Sequence, residues 1–319
     1  MTVLSDTPST IGAEDTLSLR VAEVTSVSTD VVALTLVDRD GGELPAWTPG
    51  AHLDLHVGPG LIRQYSLCSD PNDLSRYRIA VLRVANGRGG SIAVHERVAA
   101  GDTVTVSRPR NHFELADAES HLLIAGGIGI TPVLPMAHRL AALGTPWRLL
   151  YGGRSRASMA FVDELPDGDV TLAPADECGR PDLAGFLAAW PNATVHACGP
   201  QGMLDAVRDL HAGPVRTERF TATAPAGSAD DASFEAHLST SDMTLTVPGD
   251  VTLLDAVRAA GVDVPSSCES GICGTCETRV LAGTPDHRDD LLTDDERAAG
   301  DTMLICVSRC LGDRLVLDL

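Results

Sequence analysis

Between residues 17 and about 116, apolar and polar positions alternate in short runs. Examples are Val31-Val-Ala-Leu-Thr-Leu36, His52-Leu-Asp-Leu-His-Val57, Tyr77-Arg-Ile-Ala-Val-Leu82 and Asp102-Thr-Val-Thr-Val106. A period of two sends successive side chains to opposite faces of a strand, and glycine and proline break the runs. The stretch therefore predicts an antiparallel barrel or sandwich, with one short helix at 91–99.

The pattern then changes. His121-Leu-Leu-Ile-Ala125 is continuously apolar, as a strand buried on both faces must be, and a helical stretch follows at 132–143. Strands at 147–151, 170–173 and 194–198 alternate with helices at 157–165 and 201–211, which predicts a parallel sheet of the nucleotide-binding kind. Thr221 to Asp231 is small, polar and turn-rich, the composition of a linker. Beyond it the spacing predicts a hairpin at 234–238 and 243–247, a helix at 252–260, and strands at 278–281, 303–306 and 315–317. The expected division is 1–116, 117–222, a linker at 223–232, and 233–319.

Composition narrows the setting. The chain has 319 residues, 44% hydrophobic and 21% charged, enough for two or three cored domains. No apolar run approaches the roughly 20 residues of a membrane span. The first fifteen residues lack a basic-then-apolar leader, so the expectation is a cytoplasmic protein without a membrane partner. Net charge is −20 and all 24 basic residues are Arg, which argues against general binding of nucleic acid. From Pro225 onward 18 acidic residues face 6 Arg, net −12; the first 224 residues carry 26 against 18, net −8. Solubility accounts for such an excess, and so does docking to a basic partner.

Five of the eight cysteines fall between Cys268 and Cys310. In Cys268-Glu-Ser-Gly-Ile-Cys273-Gly-Thr-Cys276 the gaps are four and two residues, and Cys306 follows after 29 more. That is the plant-type spacing for a 2Fe–2S cluster held by four thiolates. A structural zinc site also takes four cysteines but favours two short-spaced pairs. Cys310 competes with Cys306 for the fourth place; Cys306, at the end of an apolar run, is preferred. Gly271 and Gly274 let the backbone wrap closely and turn its N–H groups to the sulfurs.

With this loop at its C-terminal end, the chain resembles the phthalate dioxygenase reductase family from about residue 17 to 319. Its ending, Cys306-Val-Ser-Arg and Leu315-Val-Leu-Asp-Leu319, especially resembles the vanillate demethylase reductase branch. The resemblance implies a flavin-binding antiparallel β-barrel, a parallel-sheet NAD(P)H-binding α/β domain and a β-grasp ferredoxin domain. Electrons would pass from NADH or NADPH through FMN and the 2Fe–2S cluster to a terminal oxygenase, of Rieske non-haem iron or haem monooxygenase type. FMN is what the resemblance favours; the residues themselves also permit FAD. A non-catalytic redox-sensing protein is the alternative from another class.

Further motifs fit that relay. In Arg63-Gln64-Tyr65-Ser66 the alternation places Arg63 and Tyr65 on one strand face, where a guanidinium meets a phosphate and a ring lies against a flavin. Ser66 would reach a ring nitrogen. Arg88-Gly89-Gly90-Ser91 opens the first helix as an anion site for the flavin phosphate. Gly127, Gly129 and Thr131 form the glycine turn for a pyrophosphate. By resemblance Cys198, with Gly199 and Pro200, lies beside the nicotinamide, and Phe220 of Arg216-Thr-Glu218-Arg-Phe220 covers the flavin ring. Arg154 and Arg156 permit a 2′-phosphate, and no acidic residue follows them before Asp163; surface arginines would look the same.

Overall fold

The computed structural model describes residues 16–58, 61–85, 89–220 and 231–319. The predicted linker at 223–232 and the Arg88 of the flavin loop therefore lie mostly or wholly outside the described residues. By backbone contacts the chain forms two units, residues 1–199 with 206–218, and 200–205 with 219–319.

The first unit opens with β1 (Thr16–Ser28), β2 (Val31–Asp38), β3 (His52–Gly58), β4 (Leu61–Ser66), β5 (Arg76–Leu82), α1 (Gly90–Arg97) and β6 (Thr103–Ser107). All strand pairs are antiparallel, in the order β4-β3-β6-β1-β2-β5. A bridge between Leu67 and Ile79 joins the two edge strands and closes the sheet into a barrel. Leu34, Leu36, Leu53, Leu55 and Ile79 fill its interior, as the alternation predicts.

The same unit continues with β7 (His121–Gly126), α2 (Ile130–Leu143), β8 (Trp147–Gly153), β9 (Asp169–Pro174), α3 (Ala175–Cys178), α4 (Leu183–Ala188), β10 (Thr194–Cys198), α5 (Gln201–Leu210) and β11 (Val215–Glu218). These five strands are all parallel, in the order β11-β10-β7-β8-β9. The sequence reverses direction across the sheet at β7, so the crevice beyond its carboxyl end is where a dinucleotide sits in such folds. The boundary between the units falls within α5.

One element differs from expectation. Residues 157–165 form no helix but two single 3-10 turns, at Arg156–Ser158 and Val162–Glu164. Buried Tyr151 takes the Ala160 carbonyl with its hydroxyl at 3.1 Å, and Phe161 adopts φ +60°, so the helical hydrogen-bond ladder cannot run through.

In the second unit β12 (Phe234–Leu238), β13 (Met243–Val247), α6 (Leu253–Ala259), β14 (Glu277–Ala282), β15 (Pro285–Asp286), α7 (Asp294–Ala299), β16 (Thr302–Leu304), β17 (Arg309–Cys310) and β18 (Arg314–Leu317) follow. The sheet order is β13-β12-β18-β14-β16, with β12 and β18 parallel at its centre, which is a β-grasp. Phe234, Leu254, Met303, Ile305 and Leu315 form its core. The last strand before the fourth cysteine stops at Leu304, so Cys306 sits in the turn after β16 rather than ending the strand.

Candidate redox site

Arg63, Gln64, Tyr65 and Ser66 occupy the last four positions of edge strand β4. Arg63 lies across the start of α1: a Cβ on Gly90 would fall 2.5 Å from Arg63 Cγ and 2.6 Å from its Nε. Only glycine lets these two segments meet. Gly89 caps α1 at φ +79°, a left-handed value that suits glycine. Ser91 Oγ accepts the Val84 N–H at 3.0 Å and closes the neck of the loop between β5 and α1. Gln64 Nε2 is buried without a hydrogen-bond partner among the described residues. Burial pushes the Tyr65 phenol up to about 12, so it stays neutral. An orphaned amide donor, a ring and a guanidinium along one strand suit a planar ligand that carries carbonyls and a phosphate.

The second approach is at the carboxyl edge of the parallel sheet. β7 turns through Gly127–Gly129 into α2, with Gly127 at φ +56°. A Cβ on Gly129 would lie 2.2 Å from the Cys198 carbonyl oxygen and 3.0 Å from the Gly199 nitrogen. No side chain caps α2; the Ile130 N–H returns to the preceding turn and Pro132 has none, so an anion here would meet the glycine turn and the positive end of the helix. Thr131 is buried and donates its hydroxyl to the Ile128 carbonyl at 3.0 Å, serving the turn itself. The Pro200 carbonyl accepts the Met203 and Leu204 N–H groups and opens α5.

Barrel and sheet converge on a residue that sequence reasoning passed over. Cys198 and Glu218 are register partners at the ends of β10 and β11. The Glu218 Oε2 accepts from Ser66 Oγ at 3.5 Å and lies 4.0 Å from Cys198 Sγ. Ser66 and Cys198 are both buried. Glu218 keeps some surface open, but its carboxyl points inward, and burial there pushes it up to about 8 against the opposing pull of the Ser66 hydrogen bond. Burial also holds the Cys198 thiol far above its usual range, in its neutral form. Glu218 stood inside the quoted Arg216–Phe220 segment, two residues before Phe220; its place at a strand's carboxyl end was the signal. Phe220 is 43% exposed.

In the second unit four thiols gather beside one another. Cys268 neighbours both Cys273 and Cys306, and Cys306 neighbours Cys276. Among the described residues no three His, Cys, Asp or Glu side chains close around a point as a single metal ion requires. A string of neighbours that divides into 268/273 and 276/306 suits two irons with two thiolates each. Backbone N–H groups aim at the sulfurs: Cys268 N to Cys273 Sγ at 3.4 Å, Ile272 N to Cys268, and Gly271 N to Cys306. Such donors fit thiolates rather than thiols. Cys310 lies apart from this group, pairing in β17 and accepting the Gly312 N–H at 3.3 Å.

Comparison with known proteins identifies relatives of the chain. A family model for the 2Fe-2S iron-sulfur cluster binding domain matches residues 236–311. The phenoxybenzoate dioxygenase subunit beta of Ectopseudomonas oleovorans is 45% identical over 313 residues, 95% of this chain and 97% of its own. The solved structure of phthalate dioxygenase reductase, described as modular for electron transfer from pyridine nucleotides to [2Fe–2S], matches at TM-score 0.73 and 40% identity. That match covers 98% of this chain and all of the other. The chain belongs to the phthalate dioxygenase reductase family. An intact type IV self-sufficient cytochrome P450 monooxygenase also matches, at TM-score 0.85 and 42% identity over 95% of this chain, which spans 41% of that longer one.

As a member of this family the chain is an oxidoreductase, and the family's fold binds FMN, NAD(P)H and a 2Fe–2S cluster. At the rim of the nucleotide crevice the structure adds what the sequence order hid. β8 and β9 run in parallel with Gly153 opposite Pro174, so Arg154–Arg156 and α3 emerge side by side. Arg156 donates to both Glu177 oxygens, at 3.2 and 3.1 Å. Asp176 N donates to the Arg154 carbonyl at 3.2 Å. The carboxylate that the sequence lacks directly after β8 arrives from the neighbouring strand, 21 residues beyond Arg156.

Proposed function

We propose that the chain is the reductase of a two-protein oxygenase system. It draws electrons from NAD(P)H and delivers them to a separate terminal oxygenase, Rieske-type or haem-containing, in the cytoplasm. Residues 1–116 would hold FMN, 117–222 the nucleotide and 233–319 the cluster. When bound, the nicotinamide supplies hydride, the flavin turns it into single electrons and the cluster carries these onward.

The protein's part is binding, orientation and exclusion of charge. Arg63, Gln64 and Tyr65, with Arg88 to Ser91, hold the flavin, its phosphate at the α1 start. Gly127, Gly129 and Thr131 shape the pyrophosphate turn, and Gly199 and Pro200 carry the backbone past the nicotinamide. Ser66, Cys198 and Glu218 line the place of hydride transfer, where a protonated carboxyl and a neutral thiol leave no net charge at pH 7. Phe220 shields the flavin from solvent. Cys268, Cys273, Cys276 and Cys306 ligate the irons. The observation that carries this reading is the meeting of Ser66, from the barrel, with Cys198 and Glu218, from the sheet.

The test is anaerobic rapid mixing of the purified protein, with flavin and iron quantified, against NADH and NADPH in turn. Flavin bleaching followed by bleaching of the cluster supports the relay. No bleaching with either nucleotide in protein that holds both groups refutes it.

A further inference from the structure

The fourth cysteine receives its hydrogen bond from a residue that is itself held from behind. Gly271 donates its N–H to Cys306, and its carbonyl accepts the Asp290 N–H at 2.9 Å. Gly271 takes φ +72°, and a Cβ there would meet Val307 at 2.7 Å and the Asp289 Cα at 3.0 Å. The peptide that reaches the sulfur is thus wedged between the turn carrying Cys306 and the segment carrying Asp289.

That segment is folded around one buried carboxylate. Asp289 is 4% exposed. Its Oδ2 accepts the Leu292 N–H at 2.8 Å and the Leu291 N–H at 3.2 Å. Its Oδ1 lies 3.5 Å from Ser308 Oγ, two residues beyond Cys306, and Ser308 Oγ accepts the Arg288 N–H at 3.2 Å. Arg297 of α7 donates to the Asp289 carbonyl at 2.6 Å and stands 3.6 Å from its carboxylate. The bonds to Leu291 and Leu292 bend the chain into Thr293, the N-cap of α7. His287 Nδ1 stands 3.6 Å from Oδ1, and a carboxylate so buried is costly unless partners such as these surround it.

We propose that Asp289 is a positioning residue for the iron–sulfur site: it fixes the 288–292 turn that presses Asp290 and its own backbone against Gly271, and thereby aims the Gly271 N–H at Cys306. The role rests on the four-cysteine ligation proposed above. Hydrogen bonds to ligand sulfurs tune a cluster and hold it, and loss of such supports typically weakens metal binding roughly 10- to 100-fold.

The experiment uses the full chain with its cofactors, comparing wild type, Asp289→Ala and Asp289→Asn. Three readouts are taken: the EPR signal of the reduced cluster, its midpoint potential, and the half-life of cluster absorbance under an iron chelator. Asp289→Ala is expected to shift the EPR signal and shorten the half-life by roughly 10-fold or more. Asp289→Asn keeps an acceptor for the Leu292 N–H and removes the charge; its half-life should stay within about 3-fold of wild type while its potential rises. Should Asp289→Ala not fold, Gly271→Ala disturbs the same contact from the other side and should shift the same signal. Native EPR, potential and half-life in these variants overturn the proposal, as does a fall in stability alone. A wild-type protein lacking the EPR signal refutes the ligation itself and Asp289's role with it.

Discussion

Two carboxylates account for what single residues do in this protein. Glu218 is held up to about 8 by burial, so near pH 7 it carries a proton beside Ser66 and Cys198. Above that value a negative charge appears at the proposed place of hydride transfer. Flavin reduction by NADH is therefore expected to slow as pH rises through about 8, and Glu218→Gln, which cannot ionise, should flatten that limb. A pH profile of the single-turnover rate decides it; an unchanged limb in Glu218→Gln assigns the ionisation elsewhere. Glu177 acts by a different route. Its carboxylate takes the Nε and Nη2 donors of Arg156, and Asp176 is its chain neighbour, so a 2′-phosphate entering here meets two negative groups. NADH should be preferred to NADPH by roughly 10-fold or more in kcat/KM, about 1.4 kcal/mol per decade. Glu177→Gln frees Arg156 and should narrow the ratio. A wild-type preference for NADPH would show that the arginines, not the carboxylates, govern the rim.

At the scale of elements, legibility followed burial geometry. β2, β3 and β5 were readable because their larger apolar side chains alternate into the barrel core, and β7 because its run is continuously apolar and buried. The segment 157–165 misled because its apolar spacing is helical while its backbone is broken by Phe161 at φ +60° and by the Tyr151 bond to Ala160. Most of the cysteine loop was readable from spacing alone. Glu177 was not, since only the parallel register of β8 and β9 brings it to Arg156. The strands also bury histidines that no motif marked. His52 on β3 is held down to about 3, first by burial and then by Arg110 and His112; His196 on β10 is held down to about 4 by burial, then by His121 and Arg216. With folded values below the unfolded 6.5, the unfolded chain binds more protons on acidification. The histidines' contribution to stability is thus full above about 6.5 and is lost as pH drops towards 3. Each histidine should cost about 2 kcal/mol between pH 8 and pH 5. Trp47, Trp147 and Trp190 all lie in the first unit, so denaturant melts followed by tryptophan fluorescence report on it. His196→Gln should lessen the acid loss, and an equal loss in that variant would refute the assignment.

Across the whole molecule the charge is divided unequally, −12 from Pro225 onward and −8 before it. Part of that excess has a local cause. Asp294, Asp295 and Glu296 fill the first turn of α7, where negative groups favour the helix dipole, and Glu296 closes a capping box with Thr293. Others are paired, Asp290 with Arg219, Glu269 with Arg258 and Asp286 with Arg288, yet a net excess remains in a unit that must hand electrons to another protein. Carrying nucleotide, flavin and cluster sites on one chain makes the internal transfers independent of diffusion; only the last one needs an encounter. Electrostatic steering would then act on that step alone. Raising ionic strength from about 10 mM to about 1 M shrinks the screening length from about 30 Å to about 3 Å. Reduction of the cognate oxygenase should slow by about 10-fold or more over that range, in keeping with steering effects of 10–1000-fold. Flavin and cluster reduction by NADH, followed in the same protein without the oxygenase, should show no comparable fall. Replacing Asp294 and Asp295 with Asn should lessen the salt dependence if the α7 face meets the partner. An oxygenase-reduction rate indifferent to salt would leave solubility as the reason for the acidic C-terminal unit.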